Sequence, residues 1–202
     1  MRKSDLRKNH QPFDDALARY RAFMVKILQP PSPTITDQDG RDIAESVLLR
    51  LVANWESFIN EQLVDCVNRD PTSLSTFFGV RIPANPSKDL CHALIFGERY
   101  RDFRTFGDLI DFSGRVLPDE SNPFRAVSRP HRATIDEAYK MRNYLSHYSS
   151  KSRRSLMTMY RRHHNMSRFL EPGQFLCAYS AKRLWRFFDA FQGASADIKA
   201  WY

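Results

Sequence analysis

Glycine is scarce in this chain, with 7 residues in 202. Strand-rich domains use glycine at hairpin turns and bulges, and regular alternation of apolar and polar residues is equally rare here. Both shortages point to an all-α fold. Cysteine is scarcer still. Cys66, Cys91 and Cys177 are odd in number, far apart and without a CxxC pair. That pattern excludes a disulfide framework and a paired-thiol zinc site, and reads as reduced core thiols in a cytoplasmic protein. No apolar run approaches the ~18 residues of a membrane span. The charged opening Met1-Arg2-Lys3-Ser4-Asp5 leads into no apolar segment, so neither a membrane partner nor a secretory leader is expected. Walker, GxGxxG, HExxH and GxSxG patterns are all missing. No cofactor and no metal are expected.

What the chain does have is enough apolar material for one substantial core: 42% hydrophobic and 13% aromatic residues suit a single domain over 1–202. It also has an uneven charge. The formal balance is +8, but residues 1–124 carry 16 Lys and Arg against 18 Asp and Glu, whereas residues 125–202 carry 15 against 5. A field of one sign on one part of a domain attracts polyanions, and nucleic acid is the favoured partner.

Residues 1–11 read as a polar, loose arm. Leu17, Tyr20, Phe23, Met24 and Ile27 recur at helical steps until the proline-rich stretch around Pro30, Pro31 and Pro33 stops them. The clearest helix follows Asp37 and Asp39. Its stripe runs through Val47, Leu51, Trp55, Phe58, Leu63 and Cys66, long enough to span about 40 Å as the spine of a bundle. Beside the stripe sits Glu56, read from its position as a surface carboxylate or as a partner for a basic residue of a neighbouring helix. Residues 71–128 alternate short helical patches with proline and glycine, an elaborated connection with two or three short helices. Thr134 is positioned to cap a helix carrying Asp136 and Glu137 in its first turn. A basic tract follows, Lys151, Arg153, Arg154, Arg161 and Arg162 with apolar residues interleaved, which suits an RNA-binding helix closed by Glu171-Pro172-Gly173. His163 and His164 point about 100° apart on a helix, too divergent for one shared ion. A final helix runs from about Tyr179 to Trp201.

The chemistry concentrates in Arg142-Asn143-Tyr144-Leu145-Ser146-His147. Metal-free RNA hydrolysis needs a base for the 2′-hydroxyl, a cation for the phosphorane and an acid for the leaving oxygen. His147 suits base or acid, Arg142 the charge clamp and Asn143 an orienting donor; Tyr144 and Tyr148 are candidates to stack on an unpaired base or position water. One histidine supplies one proton-transfer agent, and a two-fold dimer would supply two. Spacing alone is equally compatible with a helix-capping arginine and a histidine satisfying the last carbonyls.

These residues resemble the R-x4–6-H signature of the HEPN superfamily, where Asn commonly follows the arginine. Leu51-Val52-Ala53-Asn54-Trp55-Glu56-Ser57-Phe58 resembles the long helix of the ribonuclease-like, defence-associated HEPN kind, and the closing helix is compatible with theirs. The resemblance covers roughly residues 40–68 and 130–200. It implies a HEPN-like bundle of four to five main helices plus short helices in a middle insertion. It also implies a homodimer with a composite cleft and metal-independent endoribonuclease activity in a toxin, stress or antiphage setting, with an antitoxin or defence-system protein as a possible partner. Arg142 and His147 would be catalytic, Asn143 supportive, and Glu56 would orient the arginine. Tyr148 stands where a glycine often follows the histidine. Some family members are non-catalytic modules that bind RNA or a protein, and the basic tract would serve that role.

Overall fold

A computed structural model describes residues 4–28, 35–97 and 103–202, and every described element is helical. The sequence's proline stop at 29–34 lies outside the described residues. The main helices are α1 (His10–Leu28), α2 (Asp37–Arg69), α6 (Arg129–His147), α7 (Ser150–His164) and α9 (Lys182–Ala200). Three short helices, α3 (Thr72–Phe78), α4 (Lys88–Phe96) and α5 (Phe106–Val116), fill the connection, with 3-10 turns at Asp119–Ser121 and Pro123–Ala126. The six-residue α8 (Pro172–Cys177) precedes α9. No described helix is long and apolar enough to cross a membrane.

Why α2 is the spine follows from its ends and its stripe. Thr36 and Asp39 form a reciprocal capping box that satisfies the first free amides. Leu48, Leu51, Val52, Trp55 and Leu63 are then wholly buried. Around this spine α1, α4, α6 and α8 pack directly, and α9 joins α1, α6 and α8 from the other side. The α8 contact is close because Gly173 has no side chain. A Cβ there would fall 2.7 Å from the Arg41 carbonyl oxygen.

Four expectations change. From Ser4 on, the leading segment is no loose arm: Ser4, Leu6 and His10 are buried. Ser4 donates through both backbone N–H and hydroxyl to Asn68 Oδ1, at 3.1 and 2.8 Å. Helix α6 begins five residues before Thr134, which is buried within it. Pro130 is tolerated in the first turn, and Asp197 Oδ2 holds that end by accepting from the Ser128 amide and by meeting His131 Nδ1, both at 2.9 Å. Helix α7 stops at His164 because Asn165 turns left-handed, φ 51°, so Glu171 and Pro172 open α8 instead of closing the basic helix. Finally, Phe23, on the recurring apolar face of the first helix, and Trp201, at the end of the last, are 45% and 42% exposed.

Candidate functional site

The site is built on α6 against α2, and the two helices run antiparallel. Tyr139 feels the charge of Glu56, while Tyr148, nine residues on, feels Glu45 and Asp42. At the crossing, the Arg142 guanidinium donates through Nη2 to Glu56 Oε1 in a short charged contact. The two side chains are 16% and 11% exposed. Glu56 is therefore no surface carboxylate. It lies one residue round from Trp55, and α6 covers that flank as well as the apolar one. A buried pair of this kind fixes the guanidinium in one place, since breaking it strands a charge in a poorly solvated interior. Arg142 also lies over the Tyr139 ring, 5.9 Å from its centroid.

The rest of the hexapeptide divides between core and surface. Tyr144 is buried, and its hydroxyl donates to Glu171 Oε2 at 2.9 Å. Burial and that carboxylate push its phenol up to about 12. Its ring is thus part of the packing, against Phe169 and Tyr148 at 5.4 and 5.3 Å between centroids, and is not available to a base. Asn143 is half-buried and His147 is exposed at the helix end. Tyr148 caps α6 with φ 43°, the left-handed conformation that glycine adopts without a Cβ penalty. The backbone turn typical of a glycine is made here by a tyrosine that stays 65% exposed.

Beside Tyr148 gather Asp42, Glu45 and Glu171, which with burial raise its phenol above the ordinary value. Glu45 accepts from the Gly173 amide at 2.7 Å, and its own carboxyl is raised by burial more than that bond lowers it. The Arg142–His147 end of the molecule therefore has a positive group held inside and an acidic margin outside.

On α7, Lys151, Arg154, Arg161 and Arg162 are exposed along one side while Leu156, Met159 and Tyr160 are buried on the other. Arg153 is exposed as well, its guanidinium 4.1 Å above the Phe169 ring. At the far end of this helix is a cluster the sequence reading did not find. Glu137, 3% exposed, receives His163 Nδ1 on Oε1 at 2.9 Å and His164 Nε2 on Oε2 at 3.0 Å. Arg186 Nη2 of α9 makes a short contact to the same Oε2. The divergence of adjacent histidines is real, but they approach two oxygens of one carboxylate, not one ion. Glu137 sits four residues before Met141 and three after Thr134, on the apolar stripe of α6; that position was the available signal. Arg186 had none, lying between Trp185 and Phe187 in a helix read for its aromatics.

Two clefts open elsewhere, at the C-terminal end of α2, about 20 Å along that helix from Glu56. One, of about 340 Å³, is lined by Leu6, Arg7, Arg69 and Tyr202, and its neighbour by Arg69, Arg81 and Pro83. Neither includes the hexapeptide. Among the described residues, no group of His, Cys, Asp and Glu is arranged to hold a metal ion. No family model, no curated protein and no solved structure matches this chain.

Proposed function

We propose that the protein is a HEPN-like, metal-independent endoribonuclease that works as a homodimer in a toxin, stress or antiphage setting. The observation that carries this reading is the buried Glu56–Arg142 pair. The arginine that opens the R-x4-H pattern is held by the carboxylate that the resemblance assigns to orienting it, one helical turn or so before an exposed His147. In this mechanism the 2′-oxygen of RNA attacks phosphorus while a histidine takes its proton. Arg142, with Asn143 as an orienting donor, offsets the charge on the phosphorane. The P–O5′ bond then breaks and a histidine protonates the leaving oxygen. The products are a 2′,3′-cyclic phosphate and a 5′-hydroxyl. A second copy of the chain across a two-fold axis supplies the other histidine and a second source of positive charge beside the acidic margin.

The test is cleavage of a mixed labelled RNA pool in EDTA by wild type and by His147→Ala. Cleavage by wild type alone, with cyclic phosphate ends, is the expected result. A second reading, a non-catalytic HEPN-like module that binds RNA or a protein partner, is favoured by the exposed basic side of α7. RNA retained but left intact by both proteins, with retention lost on charge reversal at Arg154 and Arg162, would establish that reading instead.

A further inference from the structure

Glu137 is over-supplied with donors. One cation neutralises a buried carboxylate, yet this one holds Arg186 and two imidazoles. Burial opposes its ionisation, but those donors together hold its carboxyl below the ordinary value, so it is an anion in the folded protein. A carboxylate only accepts, so His163 donates through Nδ1 and its Nε2 is the remaining ring nitrogen. The carboxylate is sealed beneath, whereas the side chains above it stay open: His163 is 32% and Arg186 40% exposed. His164 is deeper, 11% exposed and edge-on to Phe175 at 4.8 Å.

We propose that His163 and Arg186, positioned from below by Glu137, form a binding site for a phosphate group, separate from Arg142 and His147. Two features make it a phosphate site and not only a fastening between helices. Its outward groups are a guanidinium with donors to spare and an imidazole that becomes a donor at Nε2 on gaining a proton. Its surroundings are also predominantly positive. Arg183 of α9 lies over the Phe175 ring at 4.2 Å and acts on the charge of His164, and Lys140 of α6 acts on Asp136 as His163 does. One carboxylate faces the site from α6: Asp136, which accepts from the Phe106 amide at 2.6 Å and interacts with both His163 and Lys140. From α8 the Phe175 ring meets His164 edge-on. Because Nδ1 is committed to Glu137, Nε2 is the ring nitrogen left to meet an anion. The site does not depend on the nuclease reading, and anion binding can succeed where cleavage fails.

The first probe is inorganic sulfate, a phosphate surrogate whose charge is constant between pH 6 and 8, titrated calorimetrically into the full chain. Wild type is expected to bind sulfate with one-to-one stoichiometry. His163→Gln and Arg186→Gln should each weaken binding on the order of tenfold. If Arg186→Gln fails to fold, the exposed His163→Gln carries the test. Competition then identifies the source of the phosphate. A 5′-phosphorylated oligoribonucleotide displacing sulfate better than its 5′-hydroxyl twin assigns a terminal phosphate, and equal displacement assigns the internal backbone. Sulfate affinity unchanged in both variants, or a lowered melting temperature as their only effect, overturns the proposal.

Discussion

Two buried glutamates, Glu56 and Glu137, each bind an arginine from another helix, and they differ in what lies above them. Arg142 is sunk against Glu56 with 16% of its side chain exposed; Arg186 reaches Glu137 from the rim with 40% exposed. The first pair is an interior contact that sets where a guanidinium stands. The second is a carboxylate floor beneath groups that still meet water. A carboxylate in a helical interface therefore does two different jobs according to how much of its partner stays hydrated.

The largest effect separating them is expected from Glu56→Ala, which leaves the Arg142 charge in the α2–α6 interface and should cost about 3–5 kcal/mol in chemical denaturation. A loss much nearer zero would show that Arg142 escapes to solvent, and would erase the contrast. Glu137→Gln should cost less, about 2 kcal/mol, because the stranded Arg186 can turn outward.

Acid separates the two next. Burial, outweighing Glu137, holds His164 below its ordinary value of 6.5. A group with a depressed folded pKa stabilises above its unfolded pKa and loses that contribution as pH falls. Stability should therefore begin to decline as pH drops through about 6.5, and again below the ordinary carboxylate value of 4.5, where Glu137 takes its proton. His164→Gln should shrink the first step, leaving the share of His10, which burial also holds below 6.5, and keep the second, measured as melting temperature against pH.

Smaller still, Tyr148→Gly should raise stability by less than about 1 kcal/mol, the relief of a left-handed residue partly offset by the lost Tyr144 contact. Arg154→Glu, on the exposed side of α7 and outside both clusters, should change stability by no more than about 0.5 kcal/mol. RNA retention at low salt should nonetheless fall, because that side chain faces the solvent an RNA would occupy.

The helices were legible where one face is apolar and both ends carry signals. Asp37 and Asp39 mark the start of α2 closely, although both lie in its first turn and Thr36, one residue earlier, is the cap. Boundaries failed where a distant residue supplies the cap. Asp197, 69 residues after Ser128, holds the start of α6, and Thr134 looked like a cap only because that partner is invisible along the chain. The leading segment failed for the same reason, since Asn68 and Gln62 satisfy Ser4 and the Leu6 carbonyl from across the fold. Within the hexapeptide, residue type suggested Arg142 and His147, but nothing local distinguishes Tyr144, which is buried on Glu171, from Tyr148, which is exposed.

By itself the sequence determined the all-helical character, the central long helix and the positive surplus of residues 125–202, because periodicity, capping and charge are properties of neighbours along the chain. Only the tertiary structure decided that Glu56 belongs to Arg142 and that Glu137 gathers His163, His164 and Arg186. These are pairings between helices, and a buried carboxylate becomes tolerable only where the fold delivers a donor that sequence spacing does not specify.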